Sequence, residues 1–382
     1  MPLYEGIGLI SEKHAVVLDI GAATTKCGYA GEMSPRCILA TKVGDVWLHQ
    51  ANHQDKLYPL LVEFIHQLYF KWLLVNPKDR RVVVVENVLG STLFKETLAK
   101  VLFKHYEVSS VLFVPSHLVC LFSLGVNTGL VLDVGHKEAT VVPVYEGVPI
   151  LAAWQAQPLA GEAIQEAVKA DLICRGLVTT GAHKMGETDV PKKVGDTPEF
   201  LTEKVIQDIS LRCCFITNIN RGRELTQAMS DPSNTTSLSS CLTHMAPMIT
   251  YPISGSQLLL VDGITREGSA ELLWTIDGDC MSVASMLLDA IMASPVDTRK
   301  ELAQSLLLVG GTTMMPGFKA RLNQELKSLL ASPKYENIKI STFKMFKPPA
   351  QPNYTAWLGE KWFSDNANKK QYFFRRSHFW CH

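Results

Sequence analysis

Residues 15–31 read AVVLDIGAATTKCGYAG. The apolar run at its start predicts a buried strand that ends at Asp19, and the small residues from Gly21 onward predict a tight turn. A second strand-like pattern begins at Lys26, so the stretch predicts a strand, a turn and a returning strand. An acidic residue and a glycine therefore stand together where a β-hairpin reverses direction.

The second half of the chain repeats this arrangement. Residues 129–135 read GLVLDVG, in which an apolar run again ends in an acidic residue, Asp133, followed two positions later by Gly135. Another strand-like pattern comes next along the chain. Two Asp-x-Gly turns in equivalent positions indicate two duplicated lobes.

The remaining periodicity alternates between helices and strands, which indicates an α/β protein. Apolar residues recur at helical spacing from Leu57 to Leu73, and Asn76-Pro77 ends that pattern. At 382 residues the chain exceeds the size of most single cores, so two lobes are expected. Further predicted segments are strands at 82–85, 140–145, 148–152 and 306–309, with a turn at Glu146-Gly147, and helices at 94–106, at 281–292 and after Pro316.

Three glycine-containing turns and one lysine form the candidate site. Each Asp-x-Gly turn can place a carboxylate near a hydrated divalent cation, while its glycine lets backbone amides approach phosphates. Lys26 adds a point charge, and residues 310–313, Gly-Gly-Thr-Thr, join a strand to a helix where a nucleotide can press against the backbone. An ordinary turn is the competing interpretation of any one of these pieces taken alone.

The composition favours protein partners over charged polymers or membranes. Lys plus Arg and Asp plus Glu both number 37, so the net charge gives no reason to expect binding to nucleic acid or to an anionic membrane. The nine cysteines are scattered without a Cys-x-x-Cys pair, as expected of reduced cytosolic thiols. No apolar run approaches the roughly 18 residues of a membrane-spanning helix, and no signal-peptide pattern is evident. We expect a cytoplasmic protein without direct membrane insertion.

Seven segments of the chain together resemble the actin-related protein family. They follow the family's order over almost the whole chain, at 19–31, 35–36, 129–135, 143–147, 159–161, 310–317 and 354–359. The resemblance implies the actin-like fold, an α/β architecture of two duplicated ribonuclease-H-like lobes around a nucleotide cleft. We place the first lobe at 1–123 plus 354–382 and the second at 124–353.

The resemblance also implies a cofactor, ATP or ADP with a divalent cation, bound structurally. Each turn then has a role by its position in the family's pattern. The first phosphate loop takes Asp19, Gly21 and Lys26, the second takes Asp133 and Gly135, and the adenosine side takes Gly310, Gly311, Thr312 and Thr313.

Several positions depart from the family's pattern, and none of the substitutes can easily do the original work. We therefore expect weaker binding of phosphate, no catalytic residue and a protein that is not an enzyme. The departures are Ala22 and Ala23 for a serine and a glycine in the first loop, Ser116 and Thr140 for the glutamine and histidine that position water, His136 for an acidic residue, and Ser210 and Leu211 for the lysine and glutamate beside the adenine.

A deletion also separates this chain from fuller members of the family. Between Arg36 and Glu86 those members carry a complete small subdomain, whereas here a reduced segment near 37–80 holds little besides the helix at 57–73. In the family this subdomain lies at the pointed end and supplies the loop that the next subunit grips. A chain without it can dock on the pointed end of a filament and stop its growth, so a cap is expected.

Within the family, the trimmed pattern resembles the actin-related subunits at the pointed end of dynactin, on residues 75–86, 294–300 and 380–381. The implied partners are dynactin's actin-like filament subunit at its pointed end and the other pointed-end subunits. The implied setting is the cytoplasmic cytoskeleton and dynein-driven microtubule transport. Two alternatives remain open: an ATP-hydrolysing enzyme of the same fold, and an actin-related subunit of a nuclear chromatin-remodelling complex.

Four further features have more modest interpretations. A Ser/Thr-rich insertion is predicted near 227–245, and the basic and aromatic tail at 369–382 is expected either to pack on its own lobe or to bind a partner. The histidines within 49–53 and 378–382 lack a second group of ligands, so no metal site is expected. Cys213-Cys214 lies in an apolar stretch and predicts buried, inert thiols.

Overall fold

The computed structural model describes residues 14–180, 192–196, 198–230, 245–255, 257–276, 281–340, 342–359 and 374–375. Contacts divide the chain into two compact units, which we call unit 1 and unit 2. Unit 1 contains residues 1–127 and 348–382, and unit 2 contains residues 128–347. Unit 2 is therefore one continuous segment of the chain, whereas unit 1 combines an N-terminal and a C-terminal segment.

The strands fall into sheets that belong to one unit each. In chain order they are β1 Val16–Ile20, β2 Thr24–Tyr29, β3 Cys37–Ala40, β4 Lys42–Val43, β5 Val46–Trp47, β6 Val82–Glu86, β7 Ser110–Pro115, β8 Gly129–Val134, β9 Ala139–Tyr145, β10 Val148–Pro149, β11 Gln155–Gln157, β12 Leu177–Thr180, β13 Lys192–Lys193, β14 Ile249–Ser254, β15 Gln257–Val261, β16 Leu306–Val309 and β17 Phe374–Arg375.

The helices lie between these strands, as an α/β fold requires. They are α1 Gln54–Gln67, α2 Thr92–Lys100, α3 Ser116–Phe122, α4 Gly161–Arg175, α5 Glu203–Arg212, α6 Ile219–Ser230, α7 Gly263–Gly268, α8 Val283–Ala293, α9 Val296–Ala303, α10 Phe318–Leu330 and α11 Thr355–Gly359. Wider π-helical turns continue α1 through Leu68–Leu73 and α2 through Val101–His105.

Unit 1 is built on a six-stranded mixed sheet in the order β17-β7-β6-β1-β2-β3. Strand β1 is parallel to β6 and antiparallel to β2. Alternate residues of β1 point to opposite faces, and each face carries its own apolar cluster, one with Val16 and Leu18 and the other with Val17. The sheet is therefore buried on both sides, which explains the nearly continuous apolar runs of β1 and β6.

Helix α1 and its π-helical continuation cover one face of this sheet. Most of the predicted apolar stripe is buried against the unit's own core, including Leu57, Leu61 and Phe64, whereas Trp72 near its end is 44% exposed. The helix ends at Leu74, which adopts a left-handed conformation with φ 54°. The helix predicted at 57–73 is thus confirmed, and most of its stripe forms part of the core of unit 1.

The opposite face is covered by α3 and α11, which come from distant parts of the chain. Trp357 of α11 is fully buried there, and its indole N–H donates to the carbonyl of Val17 at 3.3 Å. A Cβ added to Gly28 would lie 2.7 Å from the Trp357 ring. Glycine at this point of β2 therefore lets the ring pack directly on the backbone of the strand.

Unit 2 contains two sheets. The first has the order β10-β9-β8-β16, with β11 also paired to β9, and the second has the order β13-β12-β15-β14. Helix α8 is buried almost all around, which fits its apolar sequence, and it begins at Ser282, whose hydroxyl accepts the N–H of Ser285 at 3.1 Å.

A buried ionic cluster joins several helices of unit 2. The Arg321 side chain is 2% exposed, and its guanidinium donates two hydrogen bonds to Glu271, at 2.9 and 2.7 Å, and one to Glu325 at 2.8 Å. It also lies over the ring of Trp274. Burial raises the pKa of Glu271. A Cβ on Gly222 would come within 2.3 Å of this pair, so glycine is needed for α6 to approach it.

Three segments differ from, or extend, the sequence predictions. The strand predicted at 148–152 ends at Pro149 and gives way to a 3₁₀ turn at Leu151–Ala153. Residues 227–230 of the predicted insertion belong to α6, and 231–244 lie outside the described residues. In the tail, only 374–375 are described, and they pair as β17 with β7 of unit 1. No described helix is both long and apolar enough to cross a membrane.

Candidate functional site

The β1–β2 hairpin of unit 1 holds the first group of predicted site residues. Its loop is closed by a hydrogen bond from the Gly21 N–H to the carbonyl of Thr24 at 3.1 Å. Asp19 and Lys26 face each other across the ladder, and the Lys26 ammonium lies 3.2 Å from the Asp19 carboxylate. Their side chains are only 11% and 15% exposed, so the structure brings these two predicted residues together as a nearly buried ion pair.

The β8–β9 hairpin of unit 2 repeats this geometry. The Gly135 N–H donates to the carbonyl of Glu138 at 3.1 Å, and Asp133 faces Thr140 across the ladder. Both hairpins thus have the same loop length and the same register relative to the strand-ending aspartate. Such agreement is what a duplicated lobe predicts. The chemical difference is the partner of the aspartate, a lysine in unit 1 and the buried Thr140 in unit 2.

The turn after β16 packs directly on the second hairpin. The Thr312 hydroxyl donates to the carbonyl of Gly135 at 2.7 Å, and the Thr313 hydroxyl donates to that of Gly310 at 2.8 Å. Gly310 has φ 91°, and a Cβ there would lie 2.5 Å from an Asp133 carboxylate oxygen. Five predicted residues therefore meet in unit 2, while Gly311 is exposed with nothing within 4 Å of an added Cβ.

The start of α4 is a part of this region that our sequence-based site assignment missed. The Gly161 N–H donates to the carbonyl of Gly135 at 3.2 Å, and the Glu162 N–H donates to that of His136 at 2.7 Å. A Cβ on Gly161 would lie 3.2 Å from the Thr312 hydroxyl. The available signal was the pair Ala160-Gly161 before a helical pattern, since small residues there allow close approach of a helix to a loop.

Residues 41–50 fold back onto the first hairpin. The Thr41 N–H donates to the carbonyl of Ala23 at 3.0 Å, and the Nδ1–H of His49 donates to that of Ala22 at 3.2 Å. The Thr41 and Thr25 hydroxyls are also hydrogen-bonded, at 2.8 Å. The short β4–β5 hairpin and one 3₁₀ turn thus occupy the chain between β3 and α1.

The substituted positions offer little to a reacting or purine-binding site. The Ser116 hydroxyl is engaged with Nδ1 of His117 at 3.2 Å, and burial lowers the pKa of His117 to about 4, so this imidazole is neutral at neutral pH. The Ser210 hydroxyl donates to the carbonyl of Gln207 at 2.8 Å within α5. Leu211 is 67% exposed and apolar. These side chains either hydrogen-bond within their own helix or have no polar group.

Two glycine turns and one lysine are the described features that suit a phosphate-bearing ligand. Gly21 and Gly310 keep their turns tight, because a Cβ would lie 2.9 Å from the Thr24 carbonyl and 2.3 Å from the Val134 carbonyl. Lys26 lies beside the first loop. Among the described residues, no group of three or more His, Cys, Asp or Glu side chains is arranged to hold a metal ion.

Duplicated hairpins with glycine turns, each beside a parallel strand pair, define a class of α/β protein. The family model described as Actin matches residues 10–59 and 58–379, and the chain belongs to the actin family. The predicted actin-like α/β fold is thereby confirmed. Membership implies nucleotide binding in general.

Two relatives illustrate how far the similarity extends. The chain is 27% identical to Actin-related protein 10 of Dictyostelium discoideum, over 92% of this chain and 82% of that protein. It is 22% identical to Actin-related protein 4 of Arabidopsis thaliana, over 96% of both chains. The resemblance to the actin-related proteins is therefore confirmed along nearly the whole length.

Proposed function

We propose that this chain is a structural actin-related subunit of dynactin, which caps the pointed end of its actin-like filament and supports dynein-driven microtubule transport in the cytoplasm. One observation carries the proposal. Residues 41–53, where fuller family members have a small subdomain, form a two-strand hairpin and a 3₁₀ turn that hydrogen-bond to the unit's own first loop. The similarity to Actin-related protein 10 is consistent with this proposal.

A loop that a following subunit grips must project from its own subunit. Here β4 and β5 have two residues each, and Thr41 and His49 bind to Ala22 and Ala23 of the first hairpin. The segment is used internally and offers no long loop to a neighbour. A head-to-tail contact would then be made once, on the pointed end of the filament, and would not be repeated.

We further propose that the protein holds ATP or ADP, with a divalent cation, as a structural cofactor rather than as a substrate. Asp19, Gly21 and Lys26 of unit 1 would serve phosphate and cation, as would Asp133 and Gly135 of unit 2, and the turn at 310–313 would serve the adenosine side. Bound nucleotide supplies negative charge that Lys26 and backbone N–H groups can stabilise. The Ser116 hydroxyl is hydrogen-bonded to His117 and Thr140 is buried, and both observations support a non-enzymatic role.

The capping proposal is tested with purified full-length chain and short actin-like filaments whose barbed ends are blocked. We expect elongation at the pointed end to stop when about one chain is bound per filament, and other pointed-end subunits of dynactin to bind only to filaments that carry it. Continued pointed-end growth at saturating chain would overturn the proposal. Steady ATP turnover that is abolished by Asp133→Ala would favour the enzyme alternative, and exclusive recovery with chromatin-remodelling subunits would favour the nuclear one.

The cofactor proposal has a separate readout. Nucleotide released by denaturing the purified protein is quantified by chromatography, and the melting temperature is measured before and after a chelator removes divalent cations. We expect Lys26→Ala to lose nucleotide and to melt at a lower temperature, because ligand binding stabilises the folded state. Lys95→Ala is the matched control, since it removes a more exposed ion pair, with Glu86 at 2.9 Å. Equal nucleotide content in both variants would contradict the role given to Lys26.

A further inference from the structure

Two cysteines face each other directly across the edge of the sheet in unit 1. Cys27 lies in β2, Cys37 is the first residue of β3, and the two are register partners in the antiparallel ladder. Both are buried, both are free thiols, and their side chains are hydrogen-bonded to each other. Because β3 is the outermost strand on its side of the sheet, this pair lies at an edge.

The backbone geometry allows a covalent bond between them. Residues directly opposite on antiparallel strands have Cα atoms about 4.5 to 5.5 Å apart, and disulfides span Cα separations of about 4.4 to 6.8 Å. The bond therefore requires rotation of the side chains and little movement of the strands. The other adjacent pair, Cys213 and Cys214, are neighbours in sequence and have no such cross-strand arrangement.

The environment distinguishes the two sulfurs. The hydrogen bond from Cys27 lowers the pKa of Cys37, whereas the same contact, together with burial, raises the pKa of Cys27. Cys37 also follows a turn in which Gly31, Met33 and Ser34 are exposed. A small reagent can therefore reach Cys37 through opening of the strand end, while Cys27 stays in the core.

We propose that Cys27 and Cys37 form a reversible disulfide when the protein meets hydrogen peroxide. The Cys37 thiolate attacks one oxygen of the peroxide, the O–O bond breaks, and a sulfenic acid forms as the other oxygen leaves as water. The Cys27 sulfur then attacks the sulfur of that sulfenic acid, forming the S–S bond and releasing a second water. The two thiols lose two electrons and two protons in total, and one peroxide is reduced to two waters.

The disulfide has a local structural consequence. It links β3 to β2 immediately before residues 41–50, which hydrogen-bond to the first hairpin loop through Thr41 and His49. Oxidation therefore restrains the strand from which this segment begins. Transient disulfides of this kind are the form that sensing pairs take in reducing compartments. The proposal concerns the β2–β3 edge alone and stands independently of the proposed function.

The test uses the full-length reduced protein and hydrogen peroxide alone as the oxidant. After a short exposure, free thiols are blocked by alkylation, and peptides are mapped by mass with and without reduction. We expect the Cys27 and Cys37 peptides to be joined, with the loss of two hydrogen atoms per chain, and a reductant to restore both thiols. Hydrogen exchange of β2 and β3 should slow in the oxidised form.

Two variants separate this pair from the other thiols. Cys174→Ser is the matched control, because Cys174 is exposed and lies in unit 2, and it should leave the crosslink intact. Cys37→Ser should abolish it. The proposal is overturned if peroxide leaves Cys27 alkylatable, converts Cys37 only to higher acids, or joins a different pair. The mapping of unmutated protein decides this even if Cys37→Ser fails to fold.

Discussion

Replacing Gly310 with alanine is the sharpest test of the geometry in unit 2. A side chain at φ 91° and ψ 153°, a backbone region that is essentially restricted to glycine, costs about 1–3 kcal/mol, and the new Cβ would lie 2.3 Å from the Val134 carbonyl and 2.5 Å from the Asp133 carboxylate. Overpacking of a well-packed region adds about 1–3 kcal/mol. We therefore expect Gly310→Ala to destabilise unit 2 by about 3 kcal/mol.

The neighbouring Gly311 provides the control. An added Cβ there meets nothing within 4 Å, so Gly311→Ala should change stability by less than about 1 kcal/mol. Urea unfolding gives the free energies, and hydrogen exchange of β8 and β16 reports whether the loss is local to the strands that flank the turn. Equal stability of the two variants, or unchanged exchange in β8 for Gly310→Ala, would refute the packing described for this turn.

Three further predictions concern buried groups. Gly222→Ala should destabilise the protein by about 2 kcal/mol or more, because the alanine Cβ would displace Arg321 from its buried carboxylate partners. Urea unfolding measures this change in the free energy of unfolding. Tyr69→Phe should be neutral or stabilising, because no described group bonds its buried hydroxyl, whereas Tyr106→Phe should lose about 1 kcal/mol with its 2.6 Å hydrogen bond. In an acid titration, His117→Gln should lose less stability than the unmutated protein between about pH 6.5 and 4.

The sign of the His117 effect follows from its lowered pKa. Since the folded state holds the imidazole neutral down to about pH 4, the unfolded state binds the proton first as pH falls below about 6.5. Stability is therefore lost on acidification across that window. An unchanged dependence of stability on pH in the His117 variant would show that other titrating groups determine the acid sensitivity.

For the tyrosines, a larger loss of stability in Tyr69→Phe than in Tyr106→Phe would show that the Tyr69 hydroxyl has a hydrogen-bond partner.

Local features of the fold could be predicted from the sequence because the patterns that specify them span only a few neighbouring residues. The apolar runs that end at Asp19 and Asp133, the glycines that follow them and the stripe from Leu57 each act within a few residues. All three correspond to elements of the structure. The π-helical continuation after α1 was not distinguishable from ordinary helix, because the same apolar spacing serves both.

Contacts between distant segments could not be predicted in this way. The hydrogen bond from Thr312 to Gly135 joins residues 177 positions apart, and nothing local to either residue specifies the other. The same holds for His49 and Ala22, which lie on segments with no shared periodicity. Helix α5 was missed because its buried residues, among them Ile206 and Ile209, are few and are separated by polar ones.

The discontinuity of unit 1 has a consequence for how the protein is made. Unit 2 is complete once residue 347 has been synthesised, but the second face of the unit 1 sheet still lacks the fully buried Trp357 at that point. In a chain released without its last segment, the later-encoded unit is therefore the one that can fold entirely, while the earlier strands keep an uncovered apolar face. A released chain truncated before Thr355 should resist protease within unit 2 and be cut within residues 14–127.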